Sequence, residues 1–169
     1  MRNSAPMIVT AELDRADQSW AEALRRAHFP PDRNKVPAHI SLFHHLPPSL
    51  EPELRALLAE AAKAPKPAAR IEGVRSLGRG VAIDIACPAL LELRAEIADR
   101  FAPHLIPQDR HTPRLHITIQ NKVTPAVAAD TLAILKESVA LRPTVIAALN
   151  LWHYEDGPWS PIARYAFRG

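Results

Sequence analysis

The sequence contains too few cysteines, glycines and long apolar runs for several common classes of protein. Its single cysteine, Cys87, cannot form an intramolecular disulfide, which favours an intracellular protein. Its five glycines form neither a phosphate-binding loop nor a dinucleotide-binding fingerprint, so no nucleotide cofactor is predicted. No apolar run approaches the ~18 residues that a membrane-spanning helix needs, and the amino terminus does not resemble a signal peptide. We therefore expect a cytoplasmic protein with no membrane partner and no cofactor.

Aromatic residues and net charge are also modest. Aromatic side chains make up 5% of the chain, whereas hydrophobic residues make up 47%, which is typical of a globular protein. The formal charge of +3 is compatible with an anionic substrate but is too small to indicate tight nucleic-acid binding by itself. A chain of 169 residues is long enough for one compact domain or two small lobes that share a core.

Prolines are abundant, and most of the 17 stand at junctions between predicted elements. Hydrophobic periodicity predicts strands at residues 7–13, 37–45, 69–77, 81–87, 114–123, 144–154 and 162–168. It predicts helices at residues 17–28, 50–63, 88–101 and 125–139. Two strand–helix units on either side of a central hairpin favour an α+β fold with two related lobes.

Two segments of the predicted strands share one pattern of histidine, apolar, hydroxyl, apolar. Residues 39–42 read His-Ile-Ser-Leu, and residues 116–119 read His-Ile-Thr-Ile. Because alternate side chains share a strand face, each segment places an imidazole beside a hydroxyl and turns two aliphatic groups away. Either segment alone is typical of a half-exposed strand. The matched pair instead predicts one site, where two imidazoles act as general acid and general base and the hydroxyls hold phosphate oxygens.

Several neighbouring residues have the parity that would place them on the histidine face, and in the first segment Phe43 is one of them. Arg114 and Gln120 alternate with His116, which makes them candidates for binding substrate. For Lys122, near the end of the strand, a solvated or ion-paired cation is the preferred interpretation. Trp152 is interpreted as core packing in preference to a surface that stacks on a base. The remaining histidines lack the spacing of zinc ligands, so no metal site is predicted.

With this length and order of elements, the paired motifs resemble those of the 2H phosphoesterase superfamily, which includes bacterial 2′-5′ RNA ligase and cyclic phosphodiesterase proteins. The resemblance extends over essentially the whole chain and implies that residues 1–169 form a single bilobal domain. It implies an α+β fold in which two antiparallel sheets line a central cleft, with helices outside and pseudo-two-fold symmetry. It also implies that His39 and His116 are catalytic and that Ser41 and Thr118 bind phosphate.

The function that the resemblance implies is a metal-independent phosphoesterase. Its substrate would be a 2′,3′-cyclic phosphate or a 2′-5′ phosphodiester bond of an RNA end or nucleotide. One histidine would deprotonate the attacking water while the other protonates the leaving ribose oxygen, and the symmetric pattern leaves the two roles unassigned. Two alternatives stay open at this point: a non-catalytic RNA-binding or nucleotide-binding protein, and a phosphodiesterase for a small non-RNA cyclic phosphate. A monomer is compatible with the sequence.

Overall fold

A computed structural model describes residues 4–168 of the chain. Within that range the chain forms seven strands and four α-helices in the predicted order. The strands are β1 (Met7–Leu13), β2 (Ile40–Leu46), β3 (Ala68–Ser76), β4 (Val81–Ala86), β5 (His116–Gln120), β6 (Arg142–Tyr154) and β7 (Trp159–Ala166). The helices are α1 (Arg15–His28), α2 (Glu51–Ala61), α3 (Pro88–Arg100) and α4 (Pro125–Ser138). The predicted α+β class is confirmed.

Local sequence explains where two of the helices begin. The Thr124 side chain accepts a hydrogen bond from the backbone N–H of Val127, and Pro125 occupies the first position of α4. Pro88 opens α3 in the same way. Proline is favoured there because its ring presets the helical φ, and the N–H that it lacks has no partner in the first turn.

All seven strands pair antiparallel in one sheet with the order β1-β2-β5-β4-β3-β6-β7. The first part of β6 pairs with β3, and a later part pairs with β1, so six strands close into a barrel-like ring while β7 extends β6. The two separate sheets that were expected are therefore one continuous sheet. They are joined because β6 is long enough, at 13 residues, to belong to both lobes.

The two motif-bearing strands meet at one point. The single pairing between β2 and β5 joins Ile40 to Ile117, which are equivalent positions of the two motifs. Each isoleucine is fully buried and directly follows a motif histidine, His39 or His116. The pseudo-two-fold axis of the fold therefore passes beside this pair, and it brings the two motifs to the same place from opposite lobes.

Both motif strands carry a β-bulge just after the hydroxyl residue. Adjacent residues of β1 pair with Ser41 and Phe43, and adjacent residues of β4 pair with Thr118 and Gln120. The extra residue in each strand reverses the alternation of side chains. Simple parity placed Phe43 and Gln120 on the histidine face. Both are buried, at 0% and 2% exposure, so those two placements are wrong.

Candidate active site

The imidazole rings of His39 and His116 are held by the same kind of hydrogen bond. His39 lies immediately before β2, and its Nδ1 donates to the carbonyl oxygen of Pro37 at 2.7 Å. His116 is the first residue of β5, and its Nδ1 donates to the carbonyl of Arg114 at 2.7 Å. A carbonyl oxygen only accepts, so Nδ1 carries the proton in both rings. In the neutral state Nε2 is therefore the basic atom of each ring.

The electrostatic surroundings of His39 favour its neutral form. Burial lowers the pKa of His39 to about 4, although the hydrogen bond to the Pro37 carbonyl acts in the opposite direction. The positive charges of Arg25, His116 and His44 lower this pKa further. The two imidazoles belong to residues that directly precede the paired Ile40 and Ile117, which is why His116 is among the groups that lower the pKa of His39. At neutral pH His39 presents an unprotonated Nε2.

The two motif hydroxyls stand next to the histidines and are not used by the fold. Ser41 pairs across the sheet with Thr10, and Thr118 pairs with Ala82. In the part of the chain from residue 4 to 168, neither hydroxyl makes a hydrogen bond to protein. Both are half-buried, so they are accessible to a ligand. Their hydrogen-bonding capacity is available to a ligand.

A carboxylate on β4 positions two arginines beside His116. Asp84 is the cross-strand partner of His116, and its Oδ2 accepts a hydrogen bond from Arg114 at 2.8 Å. Its other oxygen, Oδ1, accepts from Nε of Arg75 at 3.0 Å. The Arg114 side chain is still 70% exposed. Neither Asp84 nor Arg75 was predicted to lie at the site, although the alternation of β4 puts Asp84 on the face opposite Ile83 and Ile85.

Two tryptophans line the site near His39. The Trp159 ring lies against the His39 imidazole, with 4.7 Å between ring centroids, and Trp152 lies 5.9 Å from Trp159. Nε1 of Trp152 donates to Oγ1 of Thr10 at 3.0 Å. His39, Trp152 and Thr10 line a cavity of about 240 Å³ that also includes Asn150. The interpretation of Trp152 as core packing is therefore wrong, and the contact of Trp159 with His39 was not predicted.

Gln120 does not belong to this site. Its Nε2 donates to Oγ1 of Thr131 at 2.8 Å and to the carbonyl of His28 at 3.3 Å, so the side chain packs toward helices α1 and α4. The bulge in β5 turns it away from His116. The prediction that Gln120 binds substrate is corrected accordingly.

A buried arginine on α1 connects the two motif segments from behind. Arg25 is 2% exposed, and its Nη1 donates to the carbonyl oxygen of Thr118 at 2.7 Å. Its other guanidinium nitrogens donate to Oδ1 of Asn34 and to the carbonyl of Val36, in the segment that leads to His39. The Arg25 side chain thus connects the segment before the first motif with the strand that carries the second motif.

Arg94 on α3 makes the reciprocal connection. It is 4% exposed, its Nε donates to the carbonyl oxygen of Leu42 at 3.1 Å, and its Nη2 donates to the backbone oxygen of Asp109. Leu42 lies in the first motif strand, and Asp109 lies in the segment that leads to the second. Arg25 and Arg94 are therefore related by the pseudo-two-fold symmetry. Each links the approach segment of its own lobe to the motif strand of the other lobe.

The Asp109 side chain is another buried connection to β2. It is fully buried and accepts hydrogen bonds from the backbone N–H groups of His44 and His45 and from Nδ1 of His44. Burial raises the pKa of Asp109, but these hydrogen bonds outweigh it, and the net pKa is lowered. Although Asp109 stands in a connecting segment and not in a strand, its carboxylate lies in the interior and is paired with His44.

Neither a metal-ligand cluster nor a membrane-spanning helix is found among residues 4–168. In this range, no group of three or more His, Cys, Asp or Glu side chains is arranged to hold a metal ion. Among the helices of the same range, none has both the length and the apolarity to cross a bilayer.

Comparison with models of known protein families identifies the superfamily of the chain. The model of the 2′-5′ RNA ligase superfamily matches residues 13–158, a range that contains both motifs and strands β2 to β6. The chain belongs to the 2′-5′ RNA ligase superfamily. No curated protein matches the sequence.

Solved structures share the superfamily fold at low sequence identity. LigT of E. coli, in complex with 3′-AMP, is 17% identical with a TM-score of 0.66, over 99% of this chain and 100% of that one. TT0787 of Thermus thermophilus is 15% identical with a TM-score of 0.64, over 97% and 98%. A protein described as a phosphoesterase is 15% identical with a TM-score of 0.56, over 98% and 99%. At these identities the likeness establishes the fold.

Proposed function

We propose that the protein is a metal-independent phosphoesterase that hydrolyses 2′,3′-cyclic phosphates or 2′-5′ phosphodiester bonds of RNA or nucleotides. One observation carries the proposal: His39 and His116 each have Nδ1 bonded to the carbonyl two residues earlier, which leaves both Nε2 atoms for a substrate. Membership of the superfamily supports a phosphoesterase or RNA ligase-like activity. LigT of E. coli, a protein of the same fold, has been crystallised with 3′-AMP and with NADP+.

The lowered pKa of His39 makes it the general base. Its neutral Nε2 takes a proton from the attacking water as the new P–O bond forms. His116, as the general acid, gives the proton on its Nε2 to the leaving ribose oxygen as the other P–O bond breaks. The products are a phosphomonoester and a free ribose hydroxyl. Ser41 and Thr118 donate hydrogen bonds to nonbridging oxygens, where negative charge builds in the transition state.

The pH dependence of kcat/KM tests the role of His39. A base whose pKa is about 4 stays unprotonated well below the ordinary histidine range, so activity is retained as the pH falls from 6.5 toward 5. Protonation of His39 then reduces kcat/KM as the pH falls through about 4. Initial rates with a mononucleoside 2′,3′-cyclic phosphate between pH 3.5 and 8 measure this limb. An acid limb at the ordinary histidine pKa would contradict the assignment of His39 as base.

Arg114 has the position of a substrate-binding residue. Asp84 holds one guanidinium nitrogen, while the rest of the exposed side chain remains available for a phosphate oxygen. We expect Arg114→Gln to raise KM about tenfold, because a charged hydrogen bond is lost, and to change kcat by less than about threefold. Steady-state kinetics separate the two constants. Arg110→Gln is the matched control because Arg110 bonds to the Leu105 carbonyl instead.

A turnover screen tests the proposed function directly. The substrates are the four nucleoside 2′,3′-cyclic phosphates, an oligoribonucleotide with a 2′,3′-cyclic end and a 2′-5′-linked dinucleotide, each with a chelator present. The expected result is a single phosphomonoester product from at least one substrate class, undiminished by the chelator. Binding of these compounds without turnover would instead favour a non-catalytic nucleotide-binding protein.

A further inference from the structure

A strongly basic cavity adjoins the candidate active site. This basic cavity measures about 440 Å³, and its lining includes three cations and two aromatic rings: Arg33, Lys35, Lys122, Tyr154 and Trp159. Trp159 also contacts the His39 imidazole at 4.7 Å between ring centroids. The basic cavity therefore begins one aromatic ring away from the proposed catalytic base.

The positive charge of the basic cavity is not neutralised by ion pairs. Around the histidines, the cations Arg75, Arg114 and Arg164 are each paired with a carboxylate. Across residues 4–168, by contrast, no ion pair joins Arg33, Lys35 or Lys122 to a carboxylate, and all three are exposed. Asp32 is the only carboxylate among the lining residues described for this cavity. The lining therefore has an excess of positive charge, which attracts an anion.

The backbone holds Lys122 in this position at a conformational cost. Its φ of 63° lies in the left-handed region, which residues with a Cβ rarely occupy. The Asn121 side chain accepts the Lys122 N–H at 2.9 Å, and Val123 N–H donates to the Arg79 carbonyl, so the turn is bonded on both sides. Such outliers cluster where a side chain serves a ligand.

We infer that the basic cavity is a second nucleotide subsite, which binds the nucleotide next to the reacting phosphodiester of an RNA strand. The inference rests on the proposed function. Cations that track a backbone and aromatic rings that stack on bases are the combination by which proteins bind single strands. Lys35 and Lys122 bind the phosphate of this nucleotide, and its base stacks on Tyr154, which is 41% exposed. The preferred substrate is thus an oligoribonucleotide end, and a mononucleotide fills only half of the site.

The test compares a mononucleoside 2′,3′-cyclic phosphate with a trinucleotide that ends in the same cyclic phosphate. The wild-type protein is expected to have at least about a tenfold higher kcat/KM for the trinucleotide, the size expected for one stacked base or more. In the double variant Lys35→Gln/Lys122→Gln, the loss for the trinucleotide exceeds the loss for the mononucleotide about tenfold. The salt dependence of log kcat/KM for the trinucleotide becomes shallower by about 0.7 for each phosphate contact removed.

The matched control is Lys63→Gln/Lys136→Gln, which removes the same charge from α4 and from the turn that follows α2, and it should leave the trinucleotide preference intact. Equal use of both substrates by the wild type, or equal losses in the Lys35/Lys122 variant, would overturn the subsite while the proposed function stands. If neither substrate turns over, the proposed function fails. Fluorescence anisotropy with a 3′-phosphorylated trinucleotide then decides the subsite, because the Lys35/Lys122 variant must weaken its binding more than that of a 3′-mononucleotide.

Discussion

His39→Gln and His116→Gln are each expected to reduce kcat for a 2′,3′-cyclic nucleotide by about 10²–10⁴-fold, the usual contribution of one positioned acid or base. Glutamine retains an amide that can donate to the Pro37 or Arg114 carbonyl, so the local backbone is preserved. It has no group that exchanges protons near neutral pH. The loss should therefore appear in kcat, with a smaller change in KM.

The double variant distinguishes a catalytic pair from two independent contributions. If the two imidazoles act in one concerted step, His39→Gln/His116→Gln loses little more than either single variant. His104→Gln is the matched control because His104 is exposed in a short 3-10 turn outside the site. Thermal denaturation of each variant checks that the fold is intact. Full activity in either single variant would contradict the two-histidine mechanism.

Arg25→Met is expected to lower the free energy of unfolding by about 2–4 kcal/mol, since buried acceptors without partners are costly. The substitution leaves the carbonyl oxygens of Thr118 and Val36 and Oδ1 of Asn34 without their donor. Methionine fills most of the apolar volume, so cavity formation adds little. Urea denaturation measures the effect as a lower midpoint at an unchanged slope.

Arg25 is also expected to affect catalysis through position. Without it the segment before His39 is no longer tied to β5, so kcat should fall by about tenfold or more even where the variant is fully folded. Its charge also helps to lower the pKa of His39, so the acid limb of the pH profile should move to higher pH. Arg26→Met, one residue along α1 and exposed, is the control and should change stability by less than about 0.5 kcal/mol. A variant with normal stability and an unmoved acid limb would show that Arg25 is not a positioning residue.

Elements with a strong local signal were predicted well. Strand β1 has the predicted bounds of residues 7–13, and α4 begins at Pro125 as predicted, because β-branched runs and capping residues act over a few neighbouring positions. The start of β7 was predicted three residues late, at residue 162. That strand extends back to Trp159 because it pairs with β6 as far as Tyr154, a contact between segments that local periodicity does not encode.

The errors at Phe43 and Gln120 share one cause. Both follow the motif hydroxyl by two residues, and both are turned inward by the equivalent bulges of β2 and β5. A bulge is defined by the register against a partner strand, which is set by the whole sheet. Parity along one strand therefore holds only as far as the bulge. Arg114 precedes the bulge in β5 and bonds to Asp84, the cross-strand partner of His116.

The grouping of each histidine with a hydroxyl follows from local sequence, because strand alternation alone puts His39 beside Ser41 and His116 beside Thr118. Only the tertiary structure brings the two motifs together, through the pairing of Ile40 with Ile117 that closes the sheet. The difference between the two imidazoles was also decided in three dimensions. Burial and the charge of Arg25 lower the pKa of His39. Both effects depend on residues that are distant in the chain, so they cannot be predicted from two motifs with the same pattern.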